Sequence, residues 1–209
     1  MNDLTQDPAV DDAAWVSIIT PLDVESLTSF CQDVERLFRI NPMLNFKNWQ
    51  AVDGDENRFL FSGQNISQDE PFDFNLTLSV KKLADGIEVN YQQGIKSSTT
   101  FKIEPLPDDS DGKSKLTITD TYEGMSEHDR KEQLHTVDRS LTVWAKYLQK
   151  YIFNWYRFSR FAPWRWYMKR IWQPMNPSAR RITYMLLLIT FFEIILIGLG
   201  AMIFFLEYS

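Results

Sequence analysis

The sequence is poor in the residues that build disulfides and metal centres: among 209 residues it has one cysteine, Cys31, and two histidines. A lone cysteine excludes an intrachain disulfide, and a free thiol suits a reducing compartment. His128 and His135 would stand about 10 Å apart along a helix, too far to share one metal ion. We therefore predict no metal site and no cofactor. Cys31 falls on an apolar helical stripe, which favours a small core residue over a nucleophile.

Positive charge is scarce in the first three quarters of the chain. Residues 1–156 carry 15 Lys/Arg against 26 Asp/Glu, whereas residues 157–209 carry 7 against 2. An acidic domain is a poor electrostatic match for nucleic acid, so we expect no nucleic-acid partner. The stretch 1–13 is acidic and lacks the apolar region of a secretory signal peptide, so we interpret it as a disordered leader.

One long hydrophobic run stands out near the C-terminus. Residues 182–206 contain a single acidic or basic residue and would form a helix of roughly 37 Å, enough to cross a bilayer core of about 30 Å. The alternative is a buried helix of a soluble protein, but the run is apolar all round and not on one stripe. The sequence therefore predicts a transmembrane helix and a tail-anchored protein.

The acid in this run is Glu193. A charge near the bilayer centre costs at least about 2.5–3.5 kcal/mol, which predicts a polar partner on another helix or protonation of the carboxyl. Gly198, Gly200 and Ala201 would let a second helix, or a second copy of this one, approach closely. The other interpretation is an acid tolerated by a very apolar helix.

Between the domain and the span, residues 157–181 mix aromatic and basic side chains. This pattern occurs on surfaces that stack single-stranded nucleic acid, but beside a span it is typical of an interfacial belt. We predict that the following residues lie at the membrane interface: Trp164, Arg165, Trp166, Lys169, Arg170, Trp172, Arg180 and Arg181. Because basic residues precede the span and only Glu207 follows it, we expect a cytoplasmic N-terminal domain and a C-terminus outside.

The soluble part, 14–156, is dominated by two-residue alternation, which predicts strands with one buried face. Short turn-like breaks between the strands indicate an antiparallel meander. The clearest strands are AWVSIIT (14–20), FDFNLTLSV (72–80), IEVNY (87–91), TTFKIEP (99–105) and LTITDTY (116–122), with weaker ones at NFKNWQAV (45–52) and NRFLFSG (57–63).

Two stretches follow a helical period instead. The first has apolar residues at Val24, Leu27, Cys31, Val34 and Phe38, which predicts one amphipathic helix that Asp23 could cap and Pro42 would stop. The second predicts a long helix that closes the domain. Its stripe, stepping by three and four residues, is Leu134, Val137, Leu141, Trp144, Leu148, Tyr151 and Trp155.

This order of elements, with the opening WVSIITPLDVESLTSFCQDVERLFRINP, resembles the START-like or helix-grip superfamily, which includes polyketide cyclase, coenzyme-Q-binding and pollen-allergen domains. The resemblance covers residues 14–156. It implies an α+β fold in which a curved antiparallel sheet surrounds the long C-terminal helix and leaves a cavity for apolar ligands. The chain departs from the family's usual pattern by continuing into a membrane span.

Asp120 is the notable carboxylate, because alternation places it on the same strand face as Leu116, Ile118 and Tyr122. It could anchor a ligand or act as an acid or base, or it could lie at the strand's mouth, wet or paired with a lysine. Tyr91 and Tyr122 are comparable candidates, each with an apolar body and a polar tip. We predict that the cavity is lined by Tyr91, Asp120, Tyr122, Trp144 and Leu148.

These observations favour membrane-anchored binding or transfer of an apolar ligand, such as a lipid, quinone or polyketide, at the cytoplasmic membrane face. No catalytic residue is assigned. Two alternatives stay open. One is a cyclase or aromatase acting on a membrane-associated substrate. The other is an accessory subunit docked in a membrane complex through its transmembrane helix.

Overall fold

The computed structural model describes residues 13–68, 70–94, 96–106, 112–122 and 127–208, with side chains in the last range described from Ser140 onward. The strands are β1 (Ala13–Thr20), β2 (Leu44–Val52), β3 (Asp55–Asn65), β4 (Phe72–Leu83), β5 (Gly86–Tyr91), β6 (Ser98–Pro105) and β7 (Ser114–Thr121). The helices are α1 (Val24–Cys31), α2 (Val34–Ile40), α3 (Glu127–Phe158), α4 (Ala162–Tyr167), a π-helical turn (Met168–Trp172) and α5 (Pro177–Tyr208).

The strands form one seven-stranded sheet in the order β1-β7-β6-β5-β4-β3-β2. Every neighbouring pair is antiparallel. Strands β2 to β7 form the predicted meander, and β1 returns to lie beside β7. The turn between β2 and β3 contains Gly54 with a φ of 82°, a left-handed conformation that glycine adopts without strain. A bulge between Phe46 and Asn48 bends β2.

Alternation along the strands buries one face of the sheet, and α3 packs on that face. The indole of Trp144 lies edge-on to the ring of Phe101 on β6, with 5.6 Å between ring centroids. At the β1 edge of the sheet, the Gln149 side-chain amide donates to the Ile19 carbonyl at 3.1 Å. The expected α+β helix-grip architecture, an antiparallel sheet around a long helix, is confirmed.

The single helix predicted at Val24–Phe38 is wrong, because the chain forms two helices there. Asp33 is the N-cap of α2, and its carboxylate accepts from the Arg36 backbone N–H at 3.1 Å. Aspartate stabilises a helix start better than a helix interior, so the chain breaks after α1. The apolar stripe survives the break, because each short helix turns its apolar residues inward. The buried members are Leu27, Cys31, Val34 and Phe38.

The predicted boundaries fall close to the observed ones. Strand β1 begins at Ala13, one residue before the expected domain start, and Asp23 caps α1 by accepting from the Ser26 N–H at 2.7 Å. The rest of the predicted leader, 1–12, lies outside the described residues. The side chains of His128, His135, Leu134 and Val137 lie outside them too.

After α3 the chain folds back onto the domain before it enters α5. Met168, in the π-helical turn, is buried in the domain core. The ring of Trp172 lies 5.3 Å from that of Tyr151 on α3. Helix α5 is long and apolar enough to cross a membrane, and none of its most apolar stretch is buried within the chain.

Candidate functional site

A cavity of about 210 Å³ lies between α2, α3 and the sheet. It is partly open, and its walls are mainly apolar, with a polar cluster beside them. Its lining residues are Phe38, Asn41, Met43, Leu44, Phe61, Asn65, Ser67, Gln68, Phe72, Phe74, Leu76, Tyr91, Gln93, Gly94, Lys96, Tyr122, Ser140 and Trp144.

Three aromatic side chains form part of the apolar wall. The ring of Phe38, from α2, lies 5.7 Å from that of Phe61 on β3 and 5.4 Å from that of Trp144 on α3. The Trp144 indole N–H donates to the Leu37 carbonyl at 3.0 Å, which fixes the orientation of the ring. The wall is therefore a rigid aromatic surface built from three different elements, suited to an apolar ligand.

The polar cluster is centred on Asp120, which is fully buried. One carboxylate oxygen forms an ion pair with the Lys96 ammonium and receives a long contact, 3.4 Å, from the Tyr122 hydroxyl. The other oxygen accepts from the Thr99 hydroxyl at 2.5 Å. The Thr99 hydroxyl is in turn 2.9 Å from the hydroxyl of Tyr91. A buried carboxylate is stable here because both of its oxygens have partners.

Strand register brings this group together. Thr99 on β6 lies directly opposite Asp120 on β7, and opposite Val89 on β5. Two residues after Val89, Tyr91 points to the same face and so reaches Thr99. Burial and the nearby Asp120 charge raise the pKa of Tyr91 well above its usual range, so the phenol keeps its proton.

The predicted cavity residues divide into two groups. Tyr91, Tyr122 and Trp144 line the cavity. Asp120 sits behind them and holds Lys96 and Thr99; it is paired with a lysine, and it is not wet. Leu148 is fully buried in the core and does not line the cavity.

The predicted interface residues divide as well. Arg165, Trp166, Lys169, Arg170 and Arg181 are exposed. The remaining three are partly buried against the domain. These are Trp164, Trp172 and Arg180.

Sequence reasoning missed Lys96 and the aromatic wall from α2 and β3. Lys96 lies between two strands, where no periodicity marks its direction, and its partner Asp120 is 24 residues away. Phe38 and Phe61 belong to a stripe and an alternation that predict burial, but neither pattern distinguishes a core residue from a cavity wall. Among the described residues, no group of three or more His, Cys, Asp and Glu could hold a metal ion.

A hydrogen bond connects the start of the apolar helix α5 to helix α2, which contributes Phe38 to the cavity wall. Arg180, in the first turn of α5, donates from Nη1 to the carbonyl of Arg39 at 2.7 Å. Arg39 is in the last turn of α2, and Asn41, two residues later, lines the cavity. This hydrogen bond therefore joins the first turn of α5 to the end of α2, beside the cavity wall.

No protein-family model and no curated protein sequence matches the chain. Among solved structures it is similar to a START superfamily protein from Mycobacterium smegmatis, with 18% identity and a TM-score of 0.51, covering 68% of this chain and 97% of that one. It is also similar to the Zhui aromatase/cyclase from Streptomyces sp. R1128, with 10% identity and a TM-score of 0.51, covering 70% and 96%. The chain therefore has the START-like helix-grip fold.

Proposed function

We propose that this protein binds an apolar small molecule in its cavity, at the cytoplasmic face of a membrane in which α5 is anchored. The ligand would be a membrane lipid or a quinone- or polyketide-like compound, taken from or delivered to the bilayer. The observation that carries this proposal is the aromatic cavity beside α2, together with the hydrogen bond from Arg180, in the first turn of the apolar helix, to the Arg39 carbonyl in the last turn of α2.

Tethering suits such a ligand for a physical reason. A strongly apolar molecule has a very low concentration in water. Leaving the bilayer exposes its apolar surface to water, which costs about 25 cal/mol of free energy per Å². A cavity held at the membrane surface shortens the aqueous path. The exposed Trp166, Lys169 and Arg170 support this placement, since aromatic and basic side chains suit the headgroup region.

The site favours binding over acid–base catalysis by Asp120. Its two carboxylate oxygens already contact Lys96, Thr99 and Tyr122, and the residue stands behind the cavity lining. A general acid or base needs hydrogen-bond reach to the reacting group. The Asp120 geometry instead supports a structural role, in which the carboxylate positions groups that face the ligand.

The proposal is tested by filling the cavity. In the full-length protein in lipid nanodiscs, Leu76→Trp should reduce binding of the neutral fluorophore N-phenyl-1-naphthylamine about tenfold or more, because the larger ring occupies the cavity. The matched control is Asn75→Trp, on the exposed opposite face of the same strand. Equal binding by wild type and both variants, above empty nanodiscs, would place the fluorophore elsewhere and remove the proposal.

One observation favours a second role, that of an accessory subunit in a membrane complex. Glu193 is the only acidic or basic residue in the apolar stretch 182–206 of α5, where an acid is costly without a polar partner if the helix crosses a membrane. The two roles are compatible, because one uses the domain and the other the span.

A further inference from the structure

The hydrogen-bond chain behind the cavity has a fixed direction, which decides what its end offers to a ligand. In the ion pair with Lys96, the Asp120 carboxylate only accepts hydrogen bonds. Thr99, at 2.5 Å, must therefore donate its single hydroxyl proton to Asp120. The Thr99 oxygen, 2.9 Å from the Tyr91 hydroxyl, then accepts from Tyr91.

Tyr91 consequently presents an acceptor to the cavity. Its one proton is used on Thr99, and the raised pKa of the phenol keeps that proton in place. What remains at the Tyr91 oxygen is lone-pair density, which can only receive a hydrogen bond. A ligand group that meets Tyr91 must therefore be a donor, such as a hydroxyl.

Lys96, in contrast, presents hydrogen-bond donors to the cavity. It lines the cavity, and within the described part of the chain its ammonium contacts one acceptor, Asp120. An ammonium group has three N–H donors, so donors remain for a ligand oxygen. The positive charge is already balanced by Asp120, which disfavours a further anion and favours a neutral acceptor such as a carbonyl.

We propose that the cavity takes a neutral amphipathic ligand whose polar head carries a hydroxyl close to a carbonyl oxygen. The hydroxyl donates to the Tyr91 oxygen, the carbonyl accepts from the Lys96 ammonium, and the apolar body lies against Phe38, Phe61 and Trp144. This inference rests on the proposed function and specifies the chemistry of the ligand's head. Monoacylglycerols and hydroxyketones with an alkyl chain belong to this class.

The proposed chemistry of the ligand's head is tested with three competitors that share one acyl chain, using the full-length protein in nanodiscs. The competitors, displacing N-phenyl-1-naphthylamine, are 1-decanoylglycerol (carbonyl and hydroxyl), methyl decanoate (carbonyl only) and decanoate (an anion). For each protein we take the ratio of its affinity for 1-decanoylglycerol to its affinity for methyl decanoate. We expect this ratio to be about three- to tenfold larger in wild type than in Tyr91→Phe, which corresponds to one hydrogen bond. Comparing variants on the same nanodiscs cancels the partitioning of each competitor into lipid.

Matched variants isolate each group. Tyr91→Phe should lose the preference and keep its affinity for methyl decanoate, whereas Tyr147→Phe, exposed on α3, should change neither. The double variant Lys96→Met/Asp120→Asn, which leaves no buried charge unpaired, should lose about three- to tenfold affinity for both esters. Its control is Lys82→Met, an exposed lysine on β4.

The outcomes separate the two proposals. A preference unchanged in Tyr91→Phe, or decanoate as the strongest competitor, would overturn the head assignment while fluorophore binding upheld the apolar cavity. Absence of fluorophore and ester binding to wild type would remove the proposed function and this inference with it.

Discussion

The guanidinium of Arg180 lies 3.9 Å from the centre of the Trp172 ring. The same group donates from Nε to the Trp172 carbonyl at 3.0 Å and from Nη2 to the Gln173 carbonyl at 3.0 Å, in addition to its bond to Arg39. One side chain thus joins the first turn of α5, the π-helical turn and α2. The planar fork of arginine suits this role, because several donors are held in a fixed geometry.

Arg180→Ala should loosen this joint. Charge-assisted hydrogen bonds to carbonyls stabilise by about 1.5–3 kcal/mol each when buried, and partial exposure reduces this, so we expect a loss of about 1–2 kcal/mol in total. For a chain of this size the Tm should fall by about 2–8 °C, measured by thermal scanning fluorimetry in detergent. The control is Arg181→Ala, at the exposed next position. Equal losses in both variants would show that charge, and not the joint, matters.

The segment before α5 shows what composition can and cannot predict. Aromatic side chains interleaved with basic ones are typical of a membrane interface. The same composition also allows cation–π packing on a protein surface. Trp166 is 60% exposed, consistent with the first, whereas Trp172 stacks under Arg180 and beside Tyr151. The two tryptophans have the same local sequence character, and only their position relative to α3 separates them.

Because Lys96 and Asp120 form an ion pair behind the cavity, we expect removal of one charge to destabilise the protein more than removal of both. Lys96→Met leaves the buried Asp120 carboxylate without its counter-charge and should cost about 3 kcal/mol in the free energy of unfolding. Lys96→Met/Asp120→Asn should recover most of that loss, because no charge is then left unpaired. Chemical denaturation of the full chain in detergent measures both, and Lys82→Met should stay within about 0.5 kcal/mol of wild type. A double variant as unstable as the single one would contradict the pairing.

Cys31 should be inert in the folded protein. Burial raises the pKa of its thiol to about 12, so at pH 8 the thiol stays protonated, and the thiolate is the reactive form. Iodoacetamide should therefore leave the intact mass unchanged under native conditions and add one group after unfolding in urea. Rapid stoichiometric labelling of the native protein would mean that α1 opens readily.

Most of the fold was predictable because its patterns are local. Alternation placed Leu78, Val89 and Phe101 on one face, and all three are buried against the helices. The break at Asp33 was not predicted, because the apolar stripe continues across it. The Lys96–Asp120 ion pair could not be predicted from local sequence patterns, because it depends on how β6 and β7 pair.

The basic residues that precede the apolar stretch of α5 predict the orientation of the proposed membrane anchor. If the domain is cytoplasmic, a tag fused after Ser209 should resist protease in inside-out vesicles while the domain is digested. Detergent should make both accessible, which controls for a tag that is intrinsically resistant. Digestion of the tag with the domain protected would reverse the orientation and move the proposed cavity to the other face of the membrane.

Glu193, in the proposed membrane-spanning part of α5, provides a test of whether this helix is a solitary anchor or associates with another helix. If Glu193 hydrogen-bonds to a polar group on another helix, Glu193→Leu leaves that group unsatisfied and should weaken the association, although the single helix inserts more easily. Glu193→Gln should weaken it less, because an amide still forms hydrogen bonds. The measurement is co-purification of membrane partners, or of a differently tagged copy of the same chain, across wild type and both variants. Loss with leucine and retention with glutamine would indicate hydrogen bonding, and loss with both would indicate a charge pair. The same association in all three proteins would show that the helix merely tolerates the acid.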